Sequence, residues 1–233
     1  SCWAFSATET LESAYAIATG KDAPILSPQQ LVSCSPNPQH CGGTGGCSGS
    51  TQELAFAYTE TAGLSLDSAY PYTAVTGTCN AAAIDPIVKN EGYVQLPRNN
   101  GTALLQAVAT IGPVAISIAA SSFAFQSYGG GVYDGEGCGY VEDHAVGLVG
   151  YGVDGSKMYW IVRNSWGTTW GMQGYMNLQR FPEGQEPCGV DHNPADGSAC
   201  EGDDTPVTLC GACGVLADSS YPTGVGPFTV EAA

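Results

Sequence analysis

The chain has 233 residues, 43% of them hydrophobic and 12% charged, with 6 Lys plus Arg against 22 Asp plus Glu and a formal net charge of -16. That is a globular composition, long enough for one large domain or two lobes sharing an interface. So acidic a surface repels phosphate backbones and anionic membranes, which argues against nucleic-acid and membrane-surface roles, and no apolar run approaches the roughly 18 residues of a membrane-spanning helix.

Its self-repulsion falls as carboxylates protonate, which suits an acidic compartment. Ten cysteines without repeated C-x-x-C pairs point to an oxidising, secretory route. Asn100-Gly101-Thr102 agrees with that route as a candidate glycosylation site. The sequence opens without Met or a signal peptide, inside an apparent structural element, and reads as a processed or partial product.

In chain order, Trp3, Ala7, Leu11, Ala14, Tyr15 and Ala18 recur at helical spacing from Cys2 to Thr19, and Gly20 stops the helix. "SPQQLVSC" carries Ser27 as a cap, Pro28 at the first helical position and Gln30 as the far side of a capping box. A third helix is predicted from about Ser50 to Ala62 before Gly63, and a fourth over about Thr102 to Ile111. After Gly112-Pro113 the texture changes: "VAISIAA", "HAVGLVGYGV", "MYWIVRN" and "GYMNLQR" are short β-branched or alternating runs between Gly-rich turns. Helices first and strands later imply an α+β protein with two lobes. Phe181 to Cys210 is rich in Pro, Gly and Asp, lacks periodicity, and reads as a loop insertion held by its own cysteines.

Three polar residues carry candidate chemistry. A thiol is a nucleophile once ionised, and a helix N-terminus and a neighbouring imidazolium both favour ionisation. Cys2 stands at a helix start. Of the three histidines, His40 and His192 lie in loops, whereas His144 heads an apolar strand that can hold it rigidly. Asn164 ends the next strand, where its amide can orient an imidazole while Trp166 excludes water. Each residue has a plainer reading, as a half-cystine, a structural histidine or a turn asparagine.

The words "SCWAFS", "DHAVGLVGYG" and "RNSWGTTWGMQGY", in that order, resemble the papain-like cysteine proteases. "LSPQQLVSC", "AYPYT" and "CGVLADSSYPTG" extend the likeness along nearly the whole chain. The resemblance implies the papain-like two-lobed fold: a helical lobe over 1–88, and a β-barrel-like lobe over 89–221 that includes the insertion at about 181–210. A cleft lies between them, and a tail from about 222 to 233 packs back on the first lobe. It implies Cys2 as nucleophile, His144 as general base and acid and Asn164 as orienter, with Trp166 in support and no metal or cofactor. Peptides or proteins are the substrates, lined by Gly49, Ser50, Asp143 and Asp218. Asp218 falls where relatives close the pocket for the second side chain before the cut, so arginine is expected there beside apolar residues. No His-bearing loop of the kind that makes some relatives exopeptidases stands between Cys79 and Asn90, so an endopeptidase cleft open at both ends is expected. A lysosomal, vacuolar or secreted location follows.

The same resemblance pairs Cys34 with Cys79 and Cys138 with Cys213. It leaves Cys47 for a cysteine upstream of Ser1, so a disulfide-linked fragment is an expected partner. The family's second oxyanion donor, a glutamine, would also lie upstream. Cys41, Cys188, Cys200 and Cys210 then allow three connectivities, among which a local Cys188–Cys200 bond is the preferred one. "CGAC" at Cys210–Cys213 is read as disulfide halves rather than a metal pair. A non-catalytic binding protein and a transacylase are the competing readings.

Overall fold

The computed structural model describes residues 1–229. Helix α1 (Cys2–Thr19) ends on Gly20 in the left-handed conformation, φ 68°, a geometry that costs glycine nothing. Helix α2 (Pro28–Cys34) starts as its sequence predicts, the Ser27 hydroxyl accepting from the Gln30 amide at 2.9 Å. The reciprocal half of the capping box is absent. The Gln30 side chain instead turns inward, donating to Gly63 O at 3.0 Å and accepting from the Ser65 amide at 2.8 Å. It thereby closes the end of helix α3 (Gln52–Ala62) and the start of strand β1 (Leu64–Ser65). Thr51, not Ser50, caps α3.

Strand β1 pairs with β2 (Pro86–Lys89), which also pairs with β12 (Gly226–Pro227) near the C-terminus. This small sheet sits with α1, α2 and α3 around one core that includes Trp3, Leu11, Leu31, Phe56, Leu64 and Val88. Residues 230–233 of the expected tail lie outside the described residues.

The second core is built on a seven-stranded sheet. In chain order its strands are β3 (Gly92–Gln95), β4 (Val114–Ile118), β5 (Val132–Tyr133), β6 (His144–Asp154), β7 (Lys157–Arg163), β8 (Tyr175–Arg180) and β11 (Ser219–Thr223). They lie in the order β3-β11-β4-β6-β7-β8-β5, and only the β5–β8 pair is parallel. The sheet is not closed into a barrel, and the chain has the expected mixed helix-and-sheet, two-lobed fold. Helix α4 (Gly101–Thr110), capped by Asn100, packs Leu104, Ala107 and Val108 on it. Helix α5 (Phe123–Gln126) adds the buried Phe125.

Strand alternation divides β4 and β6 between the two cores. Val114, Ile116 and Ile118 point into the sheet's own core with Val146 and Leu148, while Ala115 and Ala145 face α1. Side chains one residue apart lie on opposite faces, so a single strand serves both lobes. The α1 face of β6 is small: Ala145, then Gly147, where a Cβ would overlap Oε1 of Glu9. The Ser6 hydroxyl reaches across to Val146 O at 2.8 Å.

The insertion is not structureless. Strands β9 (Cys188–Asp191) and β10 (Val207–Cys210) form an antiparallel hairpin, stapled at its base by Cys188–Cys210. The remaining insertion cysteine, Cys200, bonds Cys41, so the preferred Cys188–Cys200 pairing is corrected. Register explains this: Cys188 and Cys210 face each other across the hairpin, whereas Cys200 lies in its tip. Cys34–Cys79 and Cys138–Cys213 are also bonded.

Gln30 supplies the first test. Gln30→Ala leaves the Gly63 carbonyl and Ser65 amide buried without partners, and each such group costs about 1–3 kcal/mol. Urea unfolding should show a loss of about 2–6 kcal/mol. A loss below about 0.5 kcal/mol, the level of an ordinary surface change, would mean that water replaces the side chain.

Candidate active site

Cys2 occupies the first turn of α1, where unpaired amides and the helix dipole favour an anion. The Ser1 hydroxyl does not cap the helix and bonds the Tyr72 hydroxyl at 2.7 Å. The buried Trp3 indole donates to Gly46 O at 3.0 Å, fixing the helix start against the Gly-rich loop that forms one wall of the cleft. Burial raises the Cys2 thiol, but hydrogen bonding and charge attraction from His144, with the Ala145 amide, outweigh it and bring the pKa down to about 7.

His144, at the head of β6, is buried and donates from Nε2 to Asn164 Oδ1 at 2.8 Å, which leaves Nδ1 for the thiol. Asn164 follows the last residue of β7 and is held by its own amide, bonded to Gly174 O at 2.9 Å. Trp166 stacks on the imidazole, centroids 4.8 Å apart, and is braced edge-on by Phe125 and Trp170. A thiol, an imidazole and an amide thus converge from three separate elements across the junction of the two cores.

A cavity of about 330 Å³ opens on Cys2 and His144. Gly49, Ser50, Thr51 and Gln52 form one wall, Ser117, Glu142, Asp143 and Ala145 the other. Asp143 is anchored by the Ala120 amide, which donates to Oδ1 at 2.7 Å. Asp218 does not line this cavity. It lines an adjoining cavity that shares Thr51, Glu142 and Ser198 with this one, and it accepts from Gln52 (3.1 Å), Ser117 (2.9 Å) and Gln95 (3.1 Å). Gln52 and Ser117, both bonded to Asp218, line the cavity that opens on Cys2.

Asp196, Gly197 and Ser198, in the tip of the insertion hairpin, line the same cavity. The tip is held on the helical side by Cys41–Cys200 and by the Gly42 amide on Ala199 O at 3.0 Å. On the sheet side, the Ser198 hydroxyl donates to Glu142 Oε2 at 2.9 Å. The sequence signal was present in two cysteines the family pattern did not use, but their pairing needed the fold. Cys47, also on the cavity rim, is exposed and unbonded.

Sequence reasoning missed several buried carboxylates, all with raised pKa values. Burial lifts Glu9 to about 8, partly opposed by Arg163 and reinforced by Glu12. The 3.3 Å contact of Arg163 with Glu9 Oε2 alone would favour the carboxylate. Arg163 is half exposed, however, and Glu9 Oε1 is buried without a partner, so the neutral acid prevails. Burial likewise raises Glu12 to about 6, despite the Leu26 amide. Glu53 and Glu142 are raised by burial and then by the nearby Asp218.

Papain family cysteine protease is the family description that matches this chain, over residues 1–197. Thiol protease SEN102 of Hemerocallis is 41% identical over 82% of this chain and 51% of its own length. Mouse procathepsin L is 41% identical over 77% and 54%, and rice cysteine endopeptidase Rep1 39% over 99% and 54%. The chain therefore spans about half the length of the curated relatives it matches. Among solved structures, the Carica candamarcensis cysteine protease CMS1MS2, in complex with E-64, superposes with TM-score 0.74 at 36% identity. The alignment covers 95% of this chain and 87% of that one. The chain belongs to the papain family of cysteine proteases.

Two measurements test the electrostatics. Thiol alkylation mapped to Cys2 should rise through a midpoint near pH 7, and His144→Ala should move it up by about one unit or more. An unchanged midpoint would show that His144 does not act on the thiol. For the acids the sign is opposite: a carboxyl raised in the fold stabilises it while protonated, and that stability is lost as pH climbs from the ordinary value to the folded one. For Glu9 the window runs from 4.5 to about 8. The thermal midpoint should be highest near the bottom of that window and fall toward its top, less steeply in Glu9→Gln.

Proposed function

We propose that the chain is a cysteine peptidase that cuts peptide bonds through a Cys2–His144 thiolate–imidazolium pair. The thiolate attacks the scissile carbonyl, and His144 gives its proton to the leaving amine. Water then hydrolyses the Cys2 thioester with His144 as base. The Cys2 backbone amide, at the start of α1, is one donor to the oxyanion. Asn164 positions the imidazole, and Trp166 shields their hydrogen bond from water. The observation that carries this reading is the continuous sequence Cys2–His144–Asn164 assembled from α1, β6 and the end of β7.

On the acyl side, Gly49 and Ser50 face the substrate backbone opposite Asp143. Asp218 acts on the second side chain indirectly, by orienting Gln52 and Ser117 into a polar rather than apolar floor. Four disulfides and carboxyl groups that favour acidic pH fit a secretory destination, lysosome, vacuole or exterior. Exposed Asn100 is the acceptor for a glycan, and Cys47 for a cysteine outside the chain. No helix among the described residues is long and apolar enough to cross a membrane.

A thiol-reactive epoxide followed by peptide mapping tests the reading. Label is expected on Cys2, and Cys2→Ser should abolish both labelling and hydrolysis of a denatured protein. His144→Ala should lower kcat/KM about 10²–10⁴-fold, the usual contribution of a positioned acid–base group. Protein that stays unlabelled in reducing, mildly acidic buffer would instead support a binding role.

A further inference from the structure

The insertion changes what can enter the cleft. On the Gly49–Ser50 side of Cys2, the two walls belong to different lobes, and the hairpin tip joins them. Cys41–Cys200 fixes it covalently to the helical side, and Ser198 fixes it to Glu142 on the other. A polypeptide running through this side would have to displace a segment that a disulfide holds in place. The cavity that remains, about 330 Å³, is near the bottom of the roughly 300–1,000 Å³ that ligand pockets span. That space suits a short acyl half with an end, not a continuing chain.

The lining says which end. Oε1 of Glu142 is buried without a hydrogen-bond partner, in a residue only 8% exposed. Ser50 Oγ, on the opposite wall, is likewise buried and unpartnered. Asp196 adds a carboxylate from the tip, and no Lys or Arg lines the cavity. The exposed Asp196 carboxylate beside the unfilled oxygens of Glu142 and Ser50 suits a compact cation with three N–H donors, an alkylammonium, whose charge also favours ionising Glu142 against the burial that raises its pKa. Among the described residues no three carboxylate, thiol or imidazole groups converge as a metal ion would need. A substrate entering this dead end carries such a cation at its own terminus.

We propose that this protein is an amino-terminal exopeptidase, in which the insertion closes the acyl side of the cleft and Asp196, Glu142 and Ser50 receive the substrate's free α-ammonium. The proposal rests on the reading above that the acyl half lies on the Gly49–Ser50 side of Cys2. The chemistry is unchanged: the thioester forms on a short N-terminal fragment, the remainder of the substrate leaves as the amine, and water releases the fragment. A basic side chain could supply the same cation, so the substrates must separate the two sources.

The experiment compares a long unstructured peptide bearing a free α-amine with its N-acetylated twin, products being followed by mass spectrometry. Versions with and without a Lys or Arg near the N-terminus are included. Expected are short fragments released stepwise from the free N-terminus, with kcat/KM at least about tenfold above the acetylated twin, as loss of a charge-assisted hydrogen bond implies. In Asp196→Asn combined with Glu142→Gln that ratio should fall toward one. Removing the tether in Cys41→Ser combined with Cys200→Ser should let the acetylated peptide be cut internally. Should that variant fail to fold, the comparison of substrates in the parent still decides. Equal cutting of free and acetylated peptides at internal bonds would overturn the proposal, as would a preference that follows the basic side chain and ignores acetylation. If the epoxide labels Cys2 but no peptide is trimmed from its N-terminus, this proposal fails and the catalytic reading stands. If Cys2 is neither labelled nor active on any peptide, both fall.

Discussion

The site depends on how closely α1 approaches β6. Both Cys2 and His144 lie at the ends of rigid elements, so their separation is set by the packing between those elements. That packing is tight because Ala115, Ala145 and Gly147 present almost no side chain to the helix, and because Ser6 bonds directly to the β6 backbone. Cys2 and His144 are thereby held by a contact between two cores, not by flexible loops. Small residues on one face of a strand are a prerequisite of the thiol–imidazole approach at its end.

Around that contact the polar groups form layers. Asn164 and Trp166 set the imidazole from behind, while the Gly-rich loop at Gly46 holds the helix start through Trp3. Asp218 stands beside the cleft in the adjoining cavity, its oxygens filled by Gln52, Ser117 and Gln95. A carboxylate so satisfied has little left to offer a ligand directly. Glu142 is the contrast: equally buried, but with an oxygen left over beside the cleft. Unspent hydrogen-bonding capacity separates a supporting carboxylate from a recognising one.

Much of this was legible in the sequence where local signals agree with the fold. The 3.6-residue spacing from Trp3 to Ala18, the Ser27-Pro28 start, and the alternation around Val114 and His144 each identify an element that the structure contains. Other features were not legible because tertiary contacts decide them. Gln30 matches a capping box, yet its amide completes two buried backbone bonds elsewhere. β1, β2 and β12 are too short to show periodicity and exist only as partners of one another. Asp218 aligned with a pocket position, but sequence could not show that three donors would surround it. The Phe181–Cys210 segment read as loop because its hairpin rests on a disulfide and four residue pairs, without an apolar pattern.

The Glu9–Gly147 contact has a further consequence, for the order in which this sequence can change. With Glu9 present, a Cβ at position 147 overlaps its carboxyl, which must swing aside to admit one. With Gly147 present, a smaller residue at position 9 is free to appear, at the cost of a void and a lost contact to Arg163. A path from this pair to an apolar one is therefore easier through position 9 first. Substitutions at this junction of the two lobes are in this sense biased in order: the strand acquires a methyl group most easily after the helix has given up its acid.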